Sequence, residues 1–108
     1  MDLPRTIKIG AYDYRVREVE PYELTDASNV GQASHRTMEI LINRHGDRNC
    51  AHATLLHELM HCIIYHWHVS AGDDQERFVS TLEEGLACVM KDNPDLFSAI
   101  SAAFHKGE

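Results

Sequence analysis

The sequence lacks several features that mark particular classes of protein. It has no apolar run long enough to span a lipid bilayer. Its first ten residues contain no apolar signal-peptide core, so we expect the protein to remain in the cytoplasm. It also lacks an excess of basic residues, since the net charge is −7. Such a charge disfavours binding to nucleic acids and to anionic membranes, and we expect neither as a partner.

Cysteine is scarce as well. Cys50, Cys62 and Cys88 are odd in number and contain no C-x-x-C pair. We therefore interpret them as reduced, buried thiols of a cytosolic protein rather than as a disulfide framework. The chain of 108 residues is long enough for one domain with one modest core.

The hydropathy pattern divides the chain into a strand-rich first part and a helical second part. Alternating apolar residues predict a β-hairpin over Thr6–Glu20 and a strand over Arg36–Asn43, with the polar segment Pro21–His35 between them as a loop. Helical spacing predicts three helices, which cover about Cys50–His68, about Gln75–Asp92 and a short segment from Pro94. Strands followed by helices predict an α+β domain.

The first predicted helix carries polar residues in apolar surroundings. The stretch TLLHELMHCIIY, Thr54–Tyr65, places His57, Glu58 and His61 in the pattern H-E-x-x-H. Histidines four residues apart project from one face of a helix, about 6 Å apart along its axis. Two such imidazoles can bind one zinc ion, while the glutamate beside them takes a proton from zinc-bound water. We therefore predict a zinc hydrolase of peptide or amide bonds, with Glu58 as general base.

A third protein ligand for zinc is needed, and three glutamates on the following helix are candidates. On a helical wheel Glu76 and Glu83 flank the apolar stripe, whereas Glu84 points away. Glu76 is therefore the first choice and Glu83 the second. The choice stays open for two reasons. Asp73-x-x-Glu76 has the spacing of a capping box, and Glu84 before Gly85 resembles the third-ligand stretch of some gluzincins.

Other parts of the sequence relate less directly to the motif. In zincin-like proteins, which the motif stretch resembles, the strand before the motif helix often forms the edge of a cleft and pairs with an extended peptide, and the resemblance implies this role for Arg36–Asn43. An ordinary edge strand is the alternative. Four further side chains could stabilise an oxyanion near the metal, but nothing in their spacing indicates it, and we interpret them as surface or core-edge residues: Tyr22, His35, Tyr65 and His66.

Two stretches resemble a known family. ATLLHELMHCIIY (residues 53–65) and QERFVSTLEEGLACVMKDNPDLF (residues 75–97) are similar to small phage and prophage zincin-like proteins, relatives of the ImmA/IrrE-type gluzincins. The resemblance implies one zincin-like metallopeptidase domain over residues 1–108. In it a small twisted antiparallel or mixed sheet packs on the HExxH helix, and two C-terminal helices follow. It also implies that the third ligand is the glutamate of an E-x-x-V/A-type stretch, here Glu76.

The sequence therefore predicts a zinc-dependent metallopeptidase in which His57, His61 and Glu76 hold Zn²⁺. Its substrate is expected to be a flexible segment of a protein, because a short chain forms only a shallow cleft. The alternative is a non-catalytic, zinc-stabilised protein-binding module of phage or prophage origin. A phage-encoded protein of either kind would act in the host cytoplasm. A metal-free α+β domain is the third reading, and the sequence specifies no oligomeric state.

Overall fold

The molecule is a four-stranded mixed sheet followed by three helices, as the predicted α+β class requires. The computed structural model describes residues 3–45 and 48–105, with the side chains of residues 48–50 excepted. Its elements are β1 (Thr6–Ile9), β2 (Tyr12–Val19), a 3-10 turn (Pro21–Glu23), β3 (Gly31–Ser34), β4 (Glu39–Asn43), α1 (Arg48–His66), α2 (Gln75–Asp92) and α3 (Leu96–His105). The strand order is β1-β2-β4-β3, and β2 and β4 are the parallel pair.

The predicted hairpin is confirmed as β1 and β2. Gly10 has a φ of 63° in the turn between them, a conformation that glycine adopts without steric cost. Ile7 and Ile9 of β1 are buried on the same face of the sheet as Tyr14 and Val16 of β2. The period of two in the sequence thus sends alternate residues into one core.

The strand β3 was not predicted. The prediction of a loop over Pro21–His35 is therefore wrong for Gly31–Ser34. Residues Gly31–Ser34 pair with β4 and form the edge of the sheet. β4 therefore pairs on both sides, so the expectation that Arg36–Asn43 forms an edge strand is also wrong. The strand GQAS is four residues long and carries no apolar alternation, which removes the usual sequence signal for a strand.

Helix α1 packs its buried side against the sheet and extends the core. Leu55, Leu59, Cys62 and Ile63 are each fully buried. A helical wheel of the sequence favours a buried stripe of Leu56, Met60, Ile63 and Trp67. Of these, Ile63 is in the fully buried set and the others are partly buried at its margin. The error arose because apolar residues occupy more than one face of α1, so that spacing alone does not select the inner face.

Helix α2 has the predicted bounds, but its N-terminus differs from the capping box considered above. Asp74, and not Asp73, is the N-cap, and its carboxylate accepts a hydrogen bond from the backbone N–H of Arg77 at 2.9 Å. Glu76 is therefore free of a capping-box role. The last turn is anchored to β1 by Asn93, whose side chain accepts from the backbone N–H of Lys8 and donates to its carbonyl.

The structure confirms the predicted burial for one of the two cysteines whose side chains it describes. Cys62 is fully buried, as predicted, whereas Cys88 is only partly buried; the side chain of Cys50 lies outside the described residues. Within residues 3–45 and 48–105, no helix has the length and apolar character needed to cross a membrane.

Replacing Gly85 by alanine is expected to destabilise the packing of α2 on α1. A Cβ atom at Gly85 would lie 2.7 Å from Cγ2 of Ile63 and 2.8 Å from Cδ2 of Trp67. Overpacking of a core costs about 1–3 kcal/mol, and the better helix propensity of alanine returns about 1 kcal/mol at most. We expect the free energy of unfolding, measured by denaturant titration, to fall by about 1–2 kcal/mol.

The matched control is Gly72→Ala in the loop between α1 and α2. There an added Cβ meets Oγ of Ser70 at 3.6 Å, an ordinary van der Waals contact. Its stability is expected to stay within about 0.5 kcal/mol of the wild type. Equal losses in the two variants would refute the role given to the close contact at Gly85.

Candidate active site

The two histidines of the motif converge on one point. Nε2 of His57 and Nε2 of His61 lie 3.2 Å apart, and the ring planes are inclined by 76°. Two donor atoms bound at about 2.0–2.1 Å to one tetrahedral zinc ion lie about 3.3–3.4 Å apart. Both side chains are exposed to solvent. The donor atoms of this pair therefore have the type, separation and access that a shared metal ion requires.

Glu58 is buried beside this pair, although a carboxylate usually stays exposed. Only 7% of its surface is accessible. The side chain lies under β3, where a Cβ added to Gly31 would be 3.6 Å from Cγ of Glu58. The same Cβ would approach Cγ2 of Thr54 at 2.7 Å and the carbonyl oxygen of Leu41 at 2.9 Å. The glycine thus lets the edge strand lie close against α1 and cover the carboxylate.

A cleft of about 600 Å³ separates the edge strand from α1. Residues 29–33 form one wall, and the other consists of His57, Glu58, His61, Ile64 and Tyr65. His35 lines the same cleft. The site therefore combines an open strand edge, two side chains of a type that binds metals and a carboxylate, a set of groups suited to hydrolysis of an extended peptide.

The glutamates of α2 are not brought into this cleft. Glu76, Glu83 and Glu84 are all exposed, and none lines it. α2 contacts α1 through Gly85 against Ile63, and Ile63 projects roughly 120–160° around α1 from the two histidines. Among the described residues, no three His, Cys, Asp or Glu side chains form a group that could hold a metal. The third ligand thus stays a prediction.

His35 lines this cleft, although the sequence favoured a surface or core-edge position for it over a role beside the metal. It follows β3 directly, and its ring stacks on that of Tyr65 with centroids 4.0 Å apart and an angle of 11°. Its Nδ1 lies 3.0 Å from the hydroxyl of Tyr14. Because β3 was itself missed, nothing in the sequence placed this histidine at the end of a strand beside α1.

A buried tyrosine hydroxyl joins His35 to a third imidazole. Tyr14 is fully buried, and its Oη lies 2.6 Å from Nε2 of His66 as well as 3.0 Å from His35. Burial raises the pKa of Tyr14 far above its ordinary value, so the hydroxyl keeps its proton. Burial, followed by nearby histidines, lowers the pKa of both His35 and His66. Both rings are therefore neutral at neutral pH.

The buried thiol of Cys62 lies beside the site but is not suited to bind a metal or to act as a nucleophile. Cys62 follows His61, and burial, followed by the charge of Glu58, raises its pKa to about 12. A protonated thiol is a poor metal ligand and a poor nucleophile. Cys62 therefore serves as a small apolar core residue, as the sequence predicted.

Comparisons with models of protein families, with curated proteins and with solved structures find no match to this chain.

Acidification from about pH 7.5 to about pH 5.5 is expected to destabilise the fold through His66. The pKa of His66 is lower in the folded protein than its ordinary value of 6.5. The unfolded chain therefore takes up a proton that the folded protein does not, and the free energy of unfolding falls as the pH drops through about 6.5. In His66→Gln this pH-dependent loss should be smaller, because the amide of glutamine can still hydrogen-bond to Tyr14 but does not titrate.

Denaturant titrations at the two pH values measure the difference. His68→Asn is the control, because His68 is exposed and has a φ of 54°, which asparagine tolerates. It should retain most of the wild-type loss, since the charge of His68 is the smallest of the causes that lower the pKa of His66. An unchanged pH dependence in His66→Gln would contradict the assignment to His66.

Proposed function

We propose that the protein is a zinc-dependent metallopeptidase of the HExxH type that hydrolyses peptide bonds in flexible segments of other proteins. The observation that carries the proposal is the 3.2 Å separation of Nε2 of His57 from Nε2 of His61, with the buried Glu58 in the same cleft. His57 and His61 are the first two zinc ligands. Glu58 is the general base.

The donor set fits zinc, since imidazole nitrogen is one of the ligands this ion prefers. When bound, zinc lowers the pKa of a water ligand towards neutrality and polarises a carbonyl group. The carboxylate of Glu58 accepts one proton from the attacking water and delivers it to the leaving amine. Addition of the water oxygen to the carbonyl carbon is followed by cleavage of the amide C–N bond, and the second proton of the water passes from the new carboxylic acid to the amine, so the products are a carboxylate and an ammonium group.

Glu76 is retained as the proposed third ligand, with Glu83 and Glu84 as the alternatives. The resemblance to gluzincins supports Glu76, and so does its freedom from the helix cap, which Asp74 provides. The first turn of α2 has to approach the histidines when the metal binds. The segment of residues 67–74 joins the two helices and is where such a movement would be absorbed.

The edge strand supports the choice of a peptide as substrate. β3 lies at the end of the strand order and forms one wall of the cleft. An extended peptide can add to such an edge through backbone hydrogen bonds, which would hold its carbonyl groups along the cleft. A cleft this open suits a flexible segment better than a folded domain. We propose the cytoplasm as the location, in keeping with the free thiols of Cys62 and Cys88.

Protein purified without a histidine tag is expected to contain one zinc ion per chain. His61→Ala removes one of the two converging nitrogens and should lose that ion, measured by elemental analysis after dialysis. His68→Asn, whose ring lies outside the cleft, should keep it. Full zinc occupancy in His61→Ala would contradict the site. Zinc-free wild type would instead indicate that the two rings share an N–H···N hydrogen bond.

Glu58→Gln is expected to keep zinc and to lose hydrolysis. Loss of a general base lowers the rate by about 10²–10⁴-fold. The measurement is cleavage of a quenched-fluorescence peptide library by the two proteins at equal zinc content. Preserved biological activity in Glu58→Gln with zinc bound would refute the peptidase. It would favour the alternative of a zinc-stabilised protein-binding module.

A further inference from the structure

A second cavity adjoins the cleft at the C-terminal end of α1. It measures about 490 Å³. All but one of the residues that line it carry an aromatic or imidazole ring, and we call it the ring pocket: Tyr12, His35, Met38, Tyr65, His66 and His68. His35 and Tyr65 line the cleft as well. Their stacked rings, with centroids 4.0 Å apart, therefore form the wall that the two cavities share.

Two residues of the ring pocket hold an unusual backbone conformation. Met38 and His68 both have a φ of 54°, and they are the only residues other than glycine with a positive φ in the part of the chain that the structure describes. Glycine or asparagine adopts this conformation at a lower cost. Two large side chains thus line one pocket from strained positions, and such strain is common where a protein binds a ligand.

The electrostatics of the ring pocket favour a cation. None of the described residues that line it is a lysine or an arginine, and His66 is uncharged at neutral pH because burial lowers its pKa. The helix α1 ends at His66, so the negative end of its dipole lies at the pocket. The N–H of Val69 bonds to the carbonyl of Ile64, whereas the carbonyls of Tyr65 and His66 accept no backbone hydrogen bond from the described residues. The net charge of −7 attracts a cation at longer range.

The rings supply the contact surface. Tyr12 stacks on His66 with ring centroids 5.0 Å apart and an angle of 27° between the planes. Tyr12 and Tyr65 are 45% and 55% exposed. Each tyrosine therefore packs on an imidazole with one face and keeps much of its remaining ring surface open. A cation beside an aromatic face is attracted by the π electrons, and the planar guanidinium group of arginine also stacks on such a face.

We propose that the ring pocket binds the guanidinium group of an arginine side chain in the peptide that occupies the cleft. This inference rests on the proposed peptidase function and adds the class of substrate, a segment that carries arginine near the cleaved bond. The strand β3 runs from Gly31 to Ser34 and ends next to His35. A peptide added along its outer edge therefore reaches the wall between the two cavities. Arginine suits the pocket better than lysine, because its guanidinium group is planar and more weakly hydrated.

Binding is tested with arginine that is blocked as the N-acetyl methylamide, and with citrulline blocked in the same way. Citrulline has nearly the shape of arginine but carries no charge. Titrations of the wild-type protein are followed by NMR through the ring protons of Tyr12, His66 and His68. We expect arginine to shift these signals and to bind about 2- to 30-fold more tightly than citrulline, which is the range of a cation–π contact.

Three variants assign this binding to the rings. Tyr12→Leu removes an aromatic face but keeps an apolar side chain, and it should lose most of the preference for arginine over citrulline. Tyr12→Phe keeps the ring and should bind as wild type does. Because Tyr12 does not line the cleft, both variants should keep the wild-type zinc content. Tyr22→Leu is the matched control, since Tyr22 is 82% exposed and lines neither cavity. It should leave the binding of arginine unchanged.

Cleavage of the peptide library supplies a second measurement. Wild type should prefer arginine at one fixed position relative to the cleaved bond. For such peptides Tyr12→Leu should raise KM by about 2- to 30-fold with little change in kcat, because the pocket holds a side chain that takes no part in the reaction.

Four results would overturn the inference. They are equal affinity for blocked arginine and citrulline, tighter binding of blocked phenylalanine, full binding of arginine by Tyr12→Leu, and cleavage with no preference for arginine. Tighter binding of phenylalanine would make the cavity a site for an aromatic side chain. Wild type that binds arginine in the ring pocket but cleaves no peptide would refute the proposed function and support the pocket.

Discussion

The structure depends on a single helix that packs against the sheet with one side and forms the cleft with the other. Leu55 and Leu59 of α1 are fully buried in the core, roughly 160° around the helix from His57 and His61 respectively. Because the core fixes the rotation of α1, the backbone positions of both histidines are fixed by the same packing. The 3.2 Å approach of their nitrogens is then reached by rotation of the side chains alone. Functional groups on a packed helix are held more firmly than groups on a loop.

The wall of the cleft formed by β3 depends on Gly31, which has no side chain. Any residue larger than glycine at position 31 would meet Thr54 and the backbone of Leu41 at less than 3.0 Å. Glycine therefore permits the close approach of β3 to α1, and this approach buries Glu58. A carboxylate that is shielded from bulk water beside two imidazoles interacts more strongly with them than it would in solution. The packing of β3 on α1 and the chemistry of the proposed base, Glu58, are thus linked at one position.

Local patterns in the sequence were sufficient for part of the structure. Alternation located the hairpin, helical spacing gave both ends of α2, and the H-E-x-x-H spacing brought His57 and His61 together. The edge strand was missed because Gly31–Ser34 has no apolar alternation. The position of His35 in the cleft was not predicted for the same reason, since it follows from the pairing of β3. Contacts between segments distant in the sequence leave no periodic signal.

The proposed third ligand, Glu76, also depends on contacts between segments that are distant in the sequence. α2 is fixed at Gly85 against α1 and at Asn93 against β1, whereas its first turn is exposed. Glu76 precedes Gly85 by nine residues, which is about 13 Å of helix. Rotation about the Gly85 contact therefore moves Glu76 farther than it moves the core, and Glu76 reaches the histidines only if the first turn of α2 swings around α1 from the side of Ile63. If Glu76 completes the zinc site, the binding energy of the ion fixes the end of α2 that the core leaves least restrained. Metal binding and local folding are then the same event.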